Sequence, residues 1–469
     1  MVFSDLKFIY LFLPIFLLIY YIVPQKAKNV TLFLGSIAFY AIGSWTHPLY
    51  TFLLLVSVGV SFGGALLMER YHEKKMLILT IALAYLFGQL FLFKYEGFLS
   101  SSINALFGLV NVPVNLPVLS LLLPVGISFY VFQAASYLVD VYRGTCRAEK
   151  SFINFGAYLC MFPQLIAGPI VTYTCVQEHL TKRRHTFLQF SEGLKTFVIG
   201  LGLKVILANN VGGLWRDVVS TGFESISTPM AWLAAVAFSL QLYFDFYGYS
   251  LMAKGMGRML GFNIPDNFLH PYVAVSMTEF WRRWHVTLGS WFREYVYIPL
   301  GGNRKGSGRT VLNLLAVWLL TGLWHGASFN FLLWGFVLFV IITIEKLFLK
   351  DALERFRLIG HLYMIIIIPL TWMIFEVTDL SQLGTLLLRM FPFLPQEYNV
   401  LMPGDYLNAL KSYGWLLAAG IAFSTEGPLI IYKKIKDNII GALILGAIFA
   451  ASIYLLNIGL NDPFLYFRF

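Results

Sequence analysis

Long apolar runs separated by short polar stretches set the pattern of this chain. They lie near 6–23, 29–45, 50–68, 76–93 and 117–141, then 195–213 and 229–252, and finally 310–325, 328–349, 357–377, 406–423 and 438–458. Most approach the roughly 20 residues that a helix needs to cross a bilayer. They lack the ten-residue alternation of a barrel strand. Basic residues cluster after every second early run, as Lys26/Lys28, Arg70/Lys74/Lys75 and Arg143/Arg147/Lys150. The intervening loop 45–48 has no Lys or Arg, and the loop near Lys94 has a single Lys. By the positive-inside rule the clusters are cytoplasmic and the N-terminus lies outside. The first run has no basic n-region and no small-residue cleavage site, so it reads as a retained span.

Two stretches break the pattern. Pro163, Gly168 and Pro169 interrupt 152–172, and the cluster Lys182/Arg183/Arg184 would fall on the wrong side if that stretch crossed. A re-entrant or buried broken helix keeps both ends cytoplasmic. Residues 254–309 are semi-polar, rich in Trp and Tyr, and carry Arg282, Arg283, Arg293, Arg304, Lys305 and Arg309, as expected of interfacial or re-entrant structure. The expectation is one all-α, membrane-embedded domain over 1–469 with about 11–13 spans.

Composition sharpens this picture. Of 469 residues 58% are hydrophobic and only 12% charged, against about 25% charged in soluble domains, so a water-soluble enzyme is excluded. Aromatics at 17% exclude disorder. The net charge of +10 follows from topology and calls for no nucleic-acid partner; the lipid bilayer is the partner it implies. Cys146, Cys160 and Cys175 offer neither a disulfide framework nor a metal-ligand spacing.

Polar groups inside apolar segments are costly and mark candidate sites. His325, in Thr321-Gly322-Leu323-Trp324-His325-Gly326, follows an apolar helix of about 15 residues, which spans roughly 22 Å. It therefore sits past the midplane from the cytoplasmic side, near the head of a tight hairpin, where Gly322 and Gly326 allow close approach. On residues alone it is either catalytic or a structural histidine between helices. His285 stands in Phe280-Trp281-Arg282-Arg283-Trp284-His285. If that stretch is helical, Trp281 and Trp284 share its face, and Arg282 and Arg283 turn to an anionic ligand. An interfacial aromatic belt with snorkelling arginines is the competing reading. Asp245 and Tyr249 are one helical turn apart, and an acid here could orient an imidazole, pair with an arginine or fix a buried helix contact. His179 and His185 flank a basic loop and read as water-facing. Phosphate loops, nucleophile elbows, His-Glu-x-x-His and Cys-x-x-Cys are all missing.

These residues resemble the membrane-bound O-acyltransferase (MBOAT) superfamily, and within it the bacterial branch typified by the alginate O-acetyltransferase membrane subunit. The resemblance is carried by 280–285, by Trp291-Phe292-Arg293-Glu294-Tyr295 through Asn303-Arg304-Lys305-Gly306, and by Gly322-Leu323-Trp324-His325-Gly326-Ala327-Ser328-Phe329-Asn330. Further matches are Pro124-Val125-Gly126, Phe162-Pro163-Gln164 and the closing Asp462-Pro463-Phe464-Leu465. It implies a polytopic helical fold around a tunnel, with re-entrant and interfacial helices. It implies His325 as the catalytic residue and places His285 at a second motif position where other branches carry Asn, Asp or His.

The activity so implied is acetyl transfer from cytoplasmic acetyl-CoA, with no permanently bound cofactor and no metal, for O-acetylation of an exported polysaccharide. An extracytoplasmic SGNH-type acetyltransferase or a small membrane peptide is the expected partner, and a bacterial cytoplasmic membrane the expected location. His325 as base and His285 as orienting group are the candidate catalytic pair. Trp324, Asn330, Trp281, Arg282, Arg283, Arg304, Lys305, Asp245 and Tyr249 are the candidate substrate contacts. D-Alanyl transfer to teichoic acid on the same fold, and a non-enzymatic transporter, are the alternatives.

Overall fold

A computed structural model describes residues 2–166, 168–394, 400–459 and 464–465. They are helical nearly throughout, and their only extended pairing is an isolated bridge between Phe268 and Trp284. Among the described residues, seven helices are long and apolar enough to cross a membrane: Pro48–Arg70, His72–Lys94, Phe187–Thr221, Thr228–Met259, Phe329–Arg355, Arg357–Glu376 and Ile439–Asn457. The pair Asp405–Phe423 and Gly427–Ile435, bent by 76°, makes an eighth if it forms one span. Other apolar runs form shorter helices, such as the 16 residues of Lys28–Gly43 and the 17 of Ile127–Arg143, while Gly306–His325 has 20 residues but falls short in apolar character. That is why the number of full-length crossings is lower than the number of runs. The chain is a multi-pass membrane protein.

The chain folds as two compact units, 1–194 with 253–265, and 195–252 with 266–469. In the first unit, α1 (Leu13–Ile22) and α2 (Lys28–Gly43) precede α3 (Pro48–Arg70), α4 (Lys75–Lys94) and α5 (Glu96–Leu109). They are followed by α6 (Ile127–Arg143), α7 (Phe152–Cys160), α8 (Phe162–Leu165) and α9 (Tyr173–Thr181). The stretch 152–172 is indeed a broken helix. It breaks at Met161, whose backbone is extended (ψ 110°), and Gln164 Nε2 donates to the Tyr158 carbonyl across the break. Phe162 then packs among Phe12, Phe16 and Phe39 with ring centroids 5.1–5.6 Å apart.

The second unit takes the C-terminal half of α10 (Phe187–Gly202), α11 (Asn209–Thr221) and most of α12 (Thr228–Met259). The short α13 (Met277–Arg283) and α14 (Val286–Phe292) lead to the hairpin α15 (Gly306–His325) and α16 (Phe329–Ile344). The unit closes with α17 (Lys350–Arg355), α18 (Arg357–Glu376), α19 (Leu380–Met390), α20 (Asp405–Phe423), α21 (Gly427–Ile435) and α22 (Ile439–Asn457). Helices α10 and α12 touch backbone to backbone, since a Cβ on Gly200 would lie 2.5 Å from the Gly248 carbonyl oxygen.

That approach seats Lys204 against Asp245 at 2.6 Å, both almost fully buried. The other Asp245 oxygen accepts the Leu465 N–H at 2.8 Å, and Phe464 stacks on Tyr249 at 4.3 Å. Asp245 and Tyr249 thus anchor helix and tail contacts. An unpaired ion left behind in such a site costs about 3–5 kcal/mol, whereas replacing both partners by apolar residues is often neutral. Lys204→Met should accordingly lower thermal stability in detergent sharply. The double change Lys204→Met with Asp245→Leu should recover most of the loss, as melting temperatures will show.

Candidate active site

His325 is the last residue of α15, where the chain turns through 326–328 into α16. The two helices approach closely because glycines face each other. A Cβ on Gly322 would lie 2.3 Å from the Phe331 carbonyl oxygen, and one on Gly335 would lie 2.4 Å from that of Trp318. A Cβ on Gly326 would strike the Phe331 ring at 2.1 Å. The chain that these glycines admit is therefore α16. Asn330 secures the turn: its Nδ2 donates to the Phe375 carbonyl at 2.7 Å, and its Oδ1 accepts from Ser328 Oγ at 2.6 Å. The His325 ring is held edge-on by Trp324, Trp334 and Phe375, with centroids 5.0–5.2 Å away. This hairpin position matches the expectation from sequence.

His285 departs from expectation. The stretch 277–292 is not one helix: α13 ends at Arg283, Trp284 is extended, and His285 takes a left-handed conformation (φ 45°, ψ 51°). The cause is Asn267. Its carbonyl accepts the Val286 N–H at 3.0 Å, and its Oδ1 accepts Thr287 Oγ1–H at 2.9 Å, so the backbone is pulled off the helical path. His285 then caps α14, with Nδ1 accepting the Leu288 N–H at 3.4 Å. An acceptor Nδ1 leaves the ring proton on Nε2. Burial holds the imidazole far below the ordinary histidine value, down to about 3, so it stays neutral. Phe246 lies edge-on at 4.7 Å and Trp324 at 5.8 Å.

Both histidines line one cavity of about 600 Å³, a size suited to small-molecule and cofactor binding. Its walls include Trp281, Trp284, Trp318 and Thr321. Arg282 and Arg293, both exposed, stand at its edge. Lys346 and Lys350 lie within electrostatic range of each other, and Arg282 bears on Lys346 as well. The buried Trp281 Nε1–H has no protein acceptor. Trp281 is positioned by the N-terminus of α13, which is fixed from the residue that follows α16. There the buried Glu345 carboxylate accepts the N–H groups of Met277 (2.6 Å) and Thr278 (2.8 Å), Thr278 Oγ1–H and Tyr363 Oη–H. A carboxylate at a helix N-terminus also meets the positive end of the helix dipole.

The structure brings together only part of the expected set. His325, His285, Trp281 and Arg282 line the cavity, and Trp324 packs against both imidazoles. Arg283 turns away to pair with Glu279 at 2.8 Å. Arg304 and Lys305 are exposed and off the cavity wall, Asn330 serves the turn, and Asp245 and Tyr249 serve the helix contact described above. Sequence reasoning missed Arg293, Thr321, Asn267 and Glu345. Thr321 and Trp318, one and two turns before His325, could have been found from helical spacing.

Residues 147–375 match the MBOAT, membrane-bound O-acyltransferase family. The chain is 37% identical to the probable alginate O-acetylase AlgI of Pseudomonas putida over the full length of both. It is 32% identical to the peptidoglycan O-acetyltransferase of Helicobacter pylori over 81% of this chain and 78% of that one. With the teichoic acid D-alanyltransferase of Bacillus subtilis it shares 25% over 48% of this chain and 59% of that one. The chain belongs to the membrane-bound O-acyltransferase family. It is a membrane O-acyltransferase, similar along its whole length to the alginate O-acetylases.

Two outcomes follow from the site geometry. Gly335→Ala forces a methyl group into the Trp318 carbonyl and should destabilise the protein by about 1–3 kcal/mol, with acyl transfer falling as the hairpin opens. Thermal unfolding and transfer assays on one preparation check both. The depressed His285 value fixes a pH slope. Below the ordinary histidine value, near 6.5, the unfolded chain binds a proton that the folded chain refuses, so stability falls as pH drops from 6.5 towards 3. Between pH 7 and 5 this term reaches about 2 kcal/mol. His285→Asn should flatten the slope by that amount in unfolding measured across pH.

Proposed function

We propose that the chain carries an acetyl group from cytoplasmic acetyl-CoA to a hydroxyl acceptor on the far side of a bacterial cytoplasmic membrane, for O-acetylation of an exported polysaccharide. The single observation that carries this reading is the cavity shared by His325 and His285. In the reaction, the acceptor oxygen attacks the thioester carbonyl while His325 takes the hydroxyl proton. The C–O bond forms, the C–S bond breaks, and the thiolate leaves to be protonated as CoA thiol. Neutral imidazole suits the first role at physiological pH. The neutral His285 Nε2–H and the Trp281 Nε1–H are donors for the developing oxyanion, a charge best stabilised by fixed donors away from water. Arg282 and Arg293 supply positive charge for the phosphates of the donor.

Similarity along the entire chain to proteins named as alginate O-acetylases supports acetyl as the acyl group and a polysaccharide as the final acceptor. The match to D-alanyltransferases covers under half of this chain and is weaker. The immediate acceptor in this reading is a serine hydroxyl of an SGNH-type extracytoplasmic partner, with a small membrane peptide as the alternative partner.

Membranes containing the chain, given acetyl-labelled CoA and the polymer-modifying partner, should transfer label. His325→Ala should reduce transfer by about 10²–10⁴-fold, while the variant still inserts and folds. Retained transfer would remove His325 from the chemistry. Label moving only from a D-alanyl carrier protein would replace the acetyl reading with the D-alanyl one.

A further inference from the structure

The first unit buries two cations that have no counter-ion among the described residues. Lys28, at the start of α2, is 6% exposed, and Arg183, in the loop after α9, is 7% exposed. Lys28 Nζ donates to the Tyr20 carbonyl at 3.0 Å and lies 4.6 Å over the Tyr20 ring and 5.0 Å over the Tyr21 ring. The Arg183 guanidinium stacks 4.5 Å over Phe262 and 5.9 Å from the Tyr20 ring centre. One of its nitrogens, Nη2, donates to Asn29 Oδ1, while Nε and Nη1 have no acceptor. His185 does not face water as its basic loop suggested. It stands edge-on to Tyr20 at 5.5 Å and Tyr21 at 5.7 Å, and neither ring nitrogen has a partner.

The two tyrosines cannot act as the counter-charge. Tyr20 Oη–H donates to the Leu260 carbonyl at 2.8 Å and Tyr21 Oη–H to that of Met259 at 2.5 Å, so both hydroxyls are committed to the turn after α12. Among the described residues, no carboxylate stands within ion-pair distance of Lys28, Arg183 or His185. Burial, then the charges of Lys28 and Arg183, press the His185 imidazole down to about 4. Burial likewise pulls the Arg183 guanidinium below its ordinary value.

Magnitudes decide what is missing. A cation–π contact contributes about 0.5–2 kcal/mol, whereas taking one ion out of water costs several kcal/mol even after relaxation. The chain solves the same problem for Lys204 with Asp245. Here it supplies aromatic faces and unused N–H donors, which is half of an anion site. The clusters containing Lys28 and Arg183 are the ones that the positive-inside pattern places on the cytoplasmic side, and Tyr21, 39% exposed, carries the site to the surface.

We propose that Lys28, Arg183 and His185 form a binding site for a phosphate group at the cytoplasmic face of the first unit. A tetrahedral phosphate offers several acceptor oxygens, matching an unused Arg183 N–H, the Lys28 ammonium and a His185 N–H. The same phosphate chemistry is available from an anionic phospholipid headgroup or from free phosphate, and the test separates these sources.

The full chain is placed in nanodiscs of phosphatidylcholine, with or without phosphatidylglycerol, and its melting temperature and retained lipid (by native mass spectrometry) are measured. A second arm adds inorganic phosphate to the phosphatidylcholine discs, against chloride at equal ionic strength. A lipid source predicts stabilisation and retention with phosphatidylglycerol alone; a soluble source predicts stabilisation by inorganic phosphate. Lys28→Gln with Arg183→Gln should weaken the effect about tenfold or more. Lys26→Gln with Lys182→Gln, which removes the same charge from exposed neighbours, should leave it unchanged. If the inner double variant does not fold, Lys28→Gln alone takes its place. The proposal is overturned if neither arm stabilises the unaltered chain, or if the inner and outer variants respond alike.

Discussion

The closeness of α15 and α16 governs the rest of the site. Two carbonyl groups, of Phe331 and Trp318, occupy the space where side chains at 322 and 335 would stand. In a bilayer, where lipid tails are as apolar as leucine, such contact is what drives helices together. The tight turn at its head leaves His325 no freedom to wander, and three aromatic rings fix the imidazole plane. Asn330 then ties the turn to the end of α18 through the Phe375 carbonyl. One wall of the cavity is thereby rigid.

The facing wall is built by the opposite device. Instead of a continuous helix held by small residues, it uses an interrupted one held by side chains of distant segments. Asn267 bends the backbone at 285–287, and Glu345 grips the first N–H groups of α13. Both polar groups are buried and both are hydrogen-bonded, which makes them sources of positional order. The consequence for His285 is a defined tautomer and a neutral ring. The two histidines share a cavity but differ in support: one is clamped by aromatic edges, the other by backbone and amide hydrogen bonds.

Much of this was legible in the sequence. Hydrophobic runs and basic clusters announced a polytopic helical membrane protein, Pro163 and Gly168 announced the broken helix, and the Gly322–Gly326 spacing placed His325 at a hairpin head. What was hidden depends on tertiary contacts. Nothing in Trp281-Arg282-Arg283-Trp284-His285-Val286 contains Gly or Pro, so local rules favour a continuous helix; the break is imposed by Asn267, a residue from another segment. Asp245 carried three open readings because its partner, Lys204, comes from the middle of a preceding apolar run, and no local pattern in the sequence links the two. Glu345 was overlooked for the same reason, since an acid beside Lys346 at the end of an apolar run reads as solvated. The cavity contacts expected of Arg283, Arg304 and Lys305 failed because sequence proximity to a motif does not fix which way a long side chain turns.

The left-handed backbone at His285 narrows what evolution can place there. Among side chains with a Cβ, asparagine, aspartate and histidine enter that region far more readily than others. They are the same three that the resemblance associates with this motif position across the branches. Substitution at this point is therefore filtered twice, once by the demand for a polar group facing the cavity and once by the torsion angle of the main chain. A branched residue such as valine or threonine would fail the second filter before its chemistry could be tried.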